Sequence, residues 1–332
     1  PNLRWERKYA FDTGMELGLW EDLLYFRISG YSERTVDLIS DLMLPSSSGF
    51  KSYKANMGKV KNVGVEIDMR IKLYSDKDWF VQVFGNFAHN RNSIVEISQA
   101  MKDYNKRVEA LFGKFKPGES TRKEFSQNYL KYYEGASLTS IYGMISLGIS
   151  PTNGKEIYLK KDGSATDLWS AEEWSVIGDS APKGQGSFGC TIAFRNFSVF
   201  TSFMYSFGGD AYNHTLVSYV ENADIKRSNV DKRVLEERWQ KPGDITTMKD
   251  IRDRNKTTGA SSRFVQKNNT LRFSSLTLNY SLPSGILKRY KISGIRLSLS
   301  MNDVFHISTI RRERGLDYPF SHTCNIAANI TF

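Results

Sequence analysis

Val65-Glu66-Ile67-Asp68-Met69-Arg70-Ile71-Lys72-Leu73 alternates apolar and charged residues without a break. An extended chain puts successive side chains on opposite faces. Val65, Ile67, Met69, Ile71 and Leu73 therefore share one face, and Glu66, Asp68, Arg70 and Lys72 the other. Buried charges cost several kcal/mol each unless paired, which excludes a strand covered on both sides by a protein core. Two settings remain: an antiparallel sheet with one solvated face, or a barrel wall with a wet lumen and lipid outside.

The pattern recurs along the chain. Ile295, Leu297, Leu299 and Met301 alternate with Arg296, Ser298, Ser300 and Asn302. Leu276, Leu278, Tyr280 and Leu282 alternate with Ser275, Thr277, Asn279 and Ser281. Leu24, Phe26 and Ile28 alternate with Tyr25, Arg27 and Ser29, and Phe11, Met15, Leu17 and Leu19 with Asp12, Gly14, Glu16 and Gly18. The last residues repeat it, with Ile326, Ala328, Ile330 and Phe332 on one face and Asn325, Ala327, Asn329 and Thr331 on the other.

Composition agrees with a wall rather than a core. Hydrophobic residues make up 40% and aromatics 13%, with a mean hydropathy of −0.45. Many aromatics without long apolar runs is what a lipid face diluted by polar lumen residues produces. No stretch approaches the roughly 18 consecutive apolar residues of a spanning helix, which says nothing against strands. Cys190 and Cys324 have no metal-ligand spacing and fall on apolar faces, so both are read as small hydrophobes. The net charge of +10 is scattered, with no stripe interleaving cations and stacking aromatics, so nucleic acid is not the expected partner. An anionic lipopolysaccharide leaflet accounts for the charge as well.

Turns and loops alternate in length. Trp20-Glu21-Asp22, Ser75-Asp76-Lys77-Asp78 and Arg195-Asn196 are tight, and Pro283-Ser284-Gly285 opens a slightly longer connection. Between them lie long polar segments near 36–58, 91–181, 209–268 and 308–317. This predicts an all-β antiparallel wall of about nine strands, near 8–20, 23–35, 59–74, 79–90, 182–196, 197–208, 269–283, 291–307 and 318–332, with every long loop at one end. Strand parity leaves Phe332 on the short-turn, periplasmic side. Bacterial single-chain barrels have even strand numbers, so further strands are expected before Pro1. The opening residues form no signal peptide, as in a mature form or a fragment.

Several segments resemble one family, the SusC/RagA-type TonB-dependent outer-membrane transporters. Asn2-Leu3-Arg4-Trp5-Glu6 resembles its Asn-Pro-x-Leu-x-Trp-Glu strand opening. Asn56-Met57-Gly58 followed by Asn62-Val63-Gly64-Val65-Glu66 matches its Asn-x-Gly…Asn-x-Gly-x-Glu signature. Arg238-Trp239-Gln240-Lys241-Pro242-Gly243-Asp244 is similar to its Arg-Trp-x-x-Pro-Gly-Asp loop. Asn302-Asp303-Val304-Phe305 and the terminal Phe332 complete the series in order. One departure concerns metal. Where many relatives carry an acidic Ca²⁺-type loop, this chain has Lys160-Lys161-Asp162-Gly163-Ser164-Ala165-Thr166-Asp167, a poor hard-cation site read as a turn.

The resemblance implies that residues 1–332 are the carboxy-terminal portion of a larger transmembrane barrel of about 22 strands. The implied function is outer-membrane import of a bulky oligosaccharide or oligopeptide, without enzyme activity or cofactor. It implies a SusD-like surface lipoprotein, TonB, outer-membrane lipids and the barrel-assembly machinery as partners. Plug domain and TonB box are absent from the stretch read here. A non-transporting surface-binding or adhesion barrel is the alternative.

Candidate ligand contacts are the loop aromatics Tyr129, Tyr132, Tyr133, Tyr142, Trp169, Trp174, Tyr212, Tyr219 and Trp239, whose faces stack on sugars or peptides. Asp12, Glu16, Arg27, Glu66, Asp68, Arg70, Lys72 and Arg296 are expected to line the lumen and pair among themselves. Ile326, Ile330 and Phe332 form the insertion signal, and Trp5, Trp20 and Trp79 are interfacial anchors. His89, His214, His306 and His322 form no zinc motif, and neither a nucleophile elbow nor a phosphate loop is present.

Overall fold

The structure, a computed structural model, describes residues 3–21, 23–43, 52–113, 131–223, 230–250, 252, 257–287, 292–310 and 323–331. Tyr129, Phe332, His322 and the basic cluster 311–314 lie outside the described residues.

The chain opens with β1 (Arg7–Leu19), β2 (Leu24–Val36), the short strands β3 (Ile39–Met43) and β4 (Ser52–Asn56), β5 (Gly58–Ser75) and β6 (Trp79–Ile97). Helix α1 (Gln99–Gly113) follows, then β7 (Ser140–Gly143), β8 (Ile145–Ile149), β9 (Glu156–Leu159), β10 (Ala165–Thr166) and β11 (Ser175–Asp179). Next come β12 (Gly184–Phe194), β13 (Phe197–Tyr212), the single turn α2 (Arg233–Glu236) and β14 (Val265–Ser281). The turn α3 (Ser284–Leu287), β15 (Gly294–Ser308) and β16 (Thr323–Thr331) complete the chain.

Nine strands form one sheet in the order β1-β2-β5-β6-β12-β13-β14-β15-β16. Every neighbouring pair is antiparallel. The expected strand boundaries hold to within about three residues at the tight-turn end and are too short at the other for three strands. There β6 runs to Ile97, β13 to Tyr212, and β14 begins at Val265. The extensions persist because pairing continues beyond the membrane level, as in Asp210 opposite Lys267 and the Ile94 N–H donating to the Ala136 carbonyl. The long loops between them are also folded, carrying α1 and three small sheets.

The register turns the sequence alternation into two surfaces. One row runs Leu17, Phe26, Met69, Gly85, Phe188, Phe203, Phe273, Phe305 across eight strands. Its rings stack, with Phe188–Phe203 at 5.1 Å and Phe203–Phe273 at 4.4 Å between centroids. Large apolar side chains stand exposed on this face, Phe188 at 43%, Leu297 at 44% and Ile326 at 83%. A continuous apolar face of this extent is the kind that a transmembrane barrel wall turns to lipid. One residue over, the row reads Glu16, Arg27, Asp68, Asn86, Ser187, Met204, Arg272, His306. This is the lumen side of a transmembrane barrel wall. Cys190 and Cys324 lie in the apolar rows, as expected.

At the tight-turn end, Trp79 packs on Phe194 at 4.3 Å and Phe197 on Tyr280 at 4.4 Å, an aromatic girdle. Trp20 and Glu21, in the connection from Leu19 to Leu24, take left-handed φ of 54° and 55°, and Arg195, in the two-residue turn between Phe194 and Phe197, takes 50°. The Asp76 carboxylate accepts from the Asp78 and Trp79 amides at 2.8 and 2.7 Å and closes the turn between β5 and β6.

The repeated Asn-x-Gly motif is a packing device. The Asn56 amide accepts from the Arg4 N–H at 2.8 Å and donates to the Arg4 and Asp37 carbonyls at 2.9 and 2.7 Å, tying three segments. Gly58 has φ +119°, and a Cβ there would lie 2.1 Å from the Glu96 carbonyl oxygen. At Gly64 a Cβ would meet the Tyr31 ring at 2.3 Å and the His89 oxygen at 2.6 Å, so the glycine seats the tyrosine across the wall. Gly64→Val is expected to destabilise the wall by about 1–3 kcal/mol or more through overpacking. A lower temperature for loss of the heat-modifiable gel band checks this, and Tyr31→Ala in the same chain should restore only part of it, since the His89 backbone oxygen still crowds the new side chain.

Candidate functional site

The folded loops form a cap at the long-loop end, built around aromatic and ionic centres. Phe112 of α1 packs on Trp169 at 5.6 Å and Trp174 at 4.8 Å, and the two indoles meet edge-on at 5.8 Å. The Trp169 indole donates to the Ala260 carbonyl at 3.0 Å, and its ring fills the place of a Cβ at Gly259.

Beside this lies a buried ion cluster that the sequence reading missed. Arg263 donates to Glu156 Oε2 and Glu221 Oε1, both at 2.6 Å, and to Glu221 Oε2 at 3.1 Å. The side chains of Arg263, Glu156 and Glu221 are 7%, 4% and 0% exposed. Thr258 and Ser261 hydroxyls donate to Glu221 and Glu156 at 2.9 and 2.6 Å. Burial pushes the Glu221 carboxyl upward, but the Arg263 charge and its hydrogen bonds outweigh that and hold it at about 2. Burial likewise opposes the Arg263 charge, and the two carboxylates reverse the effect and raise its pKa further. The three residues come from segments far apart in sequence, and no local motif marks them.

The Arg-Trp-x-x-Pro-Gly-Asp segment is a clasp within the cap. Arg238, 2% exposed, donates to the carbonyls of Val220, Glu221, Lys249 and Asp250 at 2.7–3.2 Å. The Trp239 indole donates to the Pro151 carbonyl at 3.0 Å and its ring covers Gly154. The Asp244 carboxylate accepts from the Gln240 and Lys241 amides at 3.1 and 2.9 Å, closing the turn at Pro242-Gly243. The stretch at Asp162-Gly163 is a turn as read: Asp162 accepts from the Ser164 amide and hydroxyl, and Asp167 pairs with Lys155 at 2.8 Å.

Among the nine aromatic candidates, Tyr132, Tyr142, Trp169, Trp174, Tyr212 and Trp239 are buried, and Tyr133 and Tyr219 are exposed. Tyr132, Trp169, Tyr212 and Trp239 fill the cap interior. Tyr133, Tyr142 and Trp174 come together on the wall of a cavity of about 970 Å³ between the cap and the ends of β6 and β13. Burial, then the neighbouring Tyr133, pushes the Tyr142 phenol up to about 12.

A second cavity, about 990 Å³, lies on the lumen face of the wall. Its lining includes Asn86, Gln185, Ser187, Thr270, Arg272, Asp303 and His306. Asn86 and Ser187 exchange two 2.8 Å hydrogen bonds across the strands. Asp303, at φ +53° in a bulge of β15, pairs with Arg272 at 2.5 Å, which gives the Asn302-Asp303-Val304-Phe305 motif its use. These residues were legible only by counting parity through a known register.

Of the charged set, Asp12, Arg27 and Glu66 line one cavity of about 500 Å³. Glu16 lies opposite Arg27, and Arg27 opposite Asp68. The Arg70 guanidinium sits 5.2 Å above the Tyr25 ring, and Lys72 lies opposite Gln82. Arg296 stands on the same face near the tight-turn end, opposite Ser281 and Asn329. The expected ion pairing among these eight does not form among the described residues; the strand spacing sets them side by side in a wet lumen, where exposed pairs gain little.

Comparison with known proteins meets this geometry. No family model matches the chain. TonB-dependent receptor P3 of Formosa agariphila is 24% identical over 307 residues, covering 90% of this chain and 29% of that protein. TonB-dependent receptor SusC of Bacteroides thetaiotaomicron is 23% identical over 236 residues, covering 69% of this chain and 22% of that protein. The solved RagAB peptide transporter superposes with a TM-score of 0.71 at 23% identity, covering 93% of this chain and 33% of that chain. The RagAB peptide importer in its open-open state gives 0.74 at 22% identity, covering all of this chain and 35% of the other.

The chain resembles SusC/RagA-type TonB-dependent transporters in sequence and in fold. It spans about a third or less of the length of these relatives. By name they are receptors and transporters rather than enzymes. Above the wall, the cap is held by charges that acid can remove. Glu221 has a depressed folded pKa, so its contribution is complete above its unfolded value near 4.5 and falls away as pH drops toward about 2. Protease sensitivity of the cap should rise through that window. Glu221→Gln should loosen the cap at neutral pH by less than the roughly 3–5 kcal/mol of an unpaired buried charge, since Arg263 keeps Glu156, and should weaken the acid dependence between about 4.5 and 2.

Proposed function

We propose that this chain supplies barrel wall, extracellular cap and closing strand to an outer-membrane importer of a bulky nutrient, an oligosaccharide or oligopeptide. In this reading residues 1–332 are the carboxy-terminal part of the barrel. The rest of the protein contributes further strands, a plug and the TonB contact, and a SusD-like lipoprotein closes the cap from outside. The observation that carries the reading is the pair of opposed faces: an exposed apolar face, and a polar face whose cavities continue up under a folded cap. Such a wall has a use only where one side is lipid and the other a wet passage. The RagAB relatives are named for peptides, which supports a bulky polymeric substrate and leaves both substrate classes in play.

Ligand contact is assigned to Tyr133, Tyr142 and Trp174 at the upper cavity and to Arg272, Asn86 and His306 at the lower one. In the full-length protein in its own outer membrane, Tyr133→Ala and Arg272→Ala should each lower uptake of the nutrient about fivefold to a hundredfold, the loss of roughly 1–3 kcal/mol at one stacking or charged contact. Heat-modifiability and co-purification of the lipoprotein should stay unchanged. A barrel that binds ligand at the surface yet never accumulates it inside the cell would instead be the non-transporting alternative.

A further inference from the structure

The cavity of about 970 Å³ between the cap and the ends of β6 and β13 narrows the nutrient class. Three cations line it: Arg91 of β6, Lys161 in the turn between β9 and β10, and Lys183 just before β12. The side chains of Arg91 and Lys183 have no ion pair and no hydrogen bond among the described residues. The Lys161 ammonium donates to the Glu172 carbonyl at 2.5 Å and has no carboxylate partner among the described residues.

Three acids share the lining, and each is engaged within the chain. Asp179 accepts from the Thr139 hydroxyl at 2.6 Å and the Ala181 amide at 3.0 Å. Asp210 pairs with Lys267 at 2.6 Å and accepts from the Asp179 amide at 3.1 Å. Glu134 accepts from the Ile97 amide at 3.3 Å. With Lys267 counted, four cations stand against three acids, and the acids rather than Arg91 and Lys183 carry the internal bonds.

Two further donors belong to the same wall. The Tyr142 hydroxyl and the Trp174 indole N–H are shut off from solvent and have no hydrogen-bond partner among the described residues. A buried donor without an acceptor is costly, so a wall that carries two favours an occupant rich in acceptors. Tyr133, 39% exposed, adds an aromatic face. A peptide brings an N–H donor at every residue except proline and needs acceptors in return. An acidic sugar brings ring, carboxylate or sulfate oxygens, and hydroxyls that accept as well as donate. Its ring face also suits the tyrosine.

We infer that the nutrient is an acidic oligosaccharide, its carboxylate or sulfate groups held by Arg91 and Lys183 and one sugar face laid on Tyr133. This substrate class lies within the import reading and rests on it. Hydrogen bonds from a cation to an anionic oxygen are about twice as strong as neutral ones, which makes the two cations the selective contacts.

Oligogalacturonate, its fully methyl-esterified form, a sulfated oligogalactan and oligoglutamate, all of matched length, are titrated into the full-length protein in nanodiscs. Wild type should bind one or both acidic sugars roughly a hundredfold more tightly than the esterified form, about tenfold for each cation engaged. The better binder of the two separates carboxylate from sulfate recognition. Arg91→Gln/Lys183→Gln should abolish the preference, and Lys102→Gln/Lys106→Gln on the exposed side of α1 should leave it unchanged. Tyr142→Phe removes an unpaired hydroxyl and keeps the ring, so the fold should hold while acidic-sugar binding weakens about fivefold. Equal affinity for acidic and esterified sugars overturns the inference, as does failure of both acidic sugars to bind, or tighter binding of oligoglutamate. Uptake by cells carrying the full-length protein separates the two readings. If the esterified sugar or oligoglutamate is accumulated instead, import stands and only the acidic-sugar class falls. If acidic sugars bind but none of the four probes is accumulated, the import reading falls and only an acidic-sugar binding site stands.

Discussion

An extended backbone offers its side chains to two sides in strict alternation, and a sheet satisfies its amides and carbonyls within its own plane. Both conditions must hold at once for a polypeptide wall to separate lipid from water. Nine strands meet them here in a continuous register, so that a one-residue step across β5 passes from Met69, in the stacked phenylalanine row, to Asp68, in the charged row. A slip of one residue anywhere would put Glu66, Asp68 and Arg70 into hydrocarbon. The register is thus held by the cost of charge in lipid more than by any single contact. The tight turns at Trp20-Glu21 and Arg195-Asn196, with their left-handed residues, set where it starts.

The cap obeys the opposite rule. In the lumen wall, Glu16, Arg27 and Asp68 can remain side by side without direct pairing because water screens them. Inside the cap, Arg263, Glu156 and Glu221 are nearly free of solvent, and each charge survives only because the others and the Thr258 and Ser261 hydroxyls surround it. Replacing such a cluster by apolar residues is often no loss in stability, so its use is better sought in specificity. It joins β9, the π-helical turn at Leu216–Glu221 and the entry to β14, which are separate stretches that must meet in one arrangement for the cap to form. Arg238 extends the same logic through backbone carbonyls, holding four of them with one guanidinium. Motif residues that look like ligand contacts in a linear reading, Trp239 above all, are committed to this scaffolding.

The outer rim adds a third electrostatic setting. Arg34 and Lys61 stand at register positions of the apolar side, as does Glu96 opposite Lys59, while Asp12, Glu16, Glu33, Glu66 and Asp68 take the alternate positions. Alternation permits this segregation, since neighbouring residues in one strand meet different solvents. Glu33 beside Arg34 shows it most simply: the acid pairs inward with Lys8 at 2.7 Å, and the guanidinium points to the other side.

The wall was legible from the chain because period two survives translation into three dimensions. Nine strands, the faces of the six whose alternation is explicit, the tight turns and the apolar placement of both cysteines follow from the chain without knowledge of any neighbour. The Asn-x-Gly and Asn-Asp-Val-Phe motifs were visible too, but their roles were not: seating Tyr31 at Gly64 and forming the bulge that brings Asp303 to Arg272 require the adjacent strands to be in place. The loops were read as polar segments whose aromatics were candidate ligand contacts, and they fold into a cap whose aromatics are largely its interior. Local sequence determines strand and face because both depend on the backbone of the residue itself. Only the tertiary structure decides which loop rings are buried, which charges are paired and which cavities open, because those depend on segments more than a hundred residues apart, as Arg263 and Glu156 are.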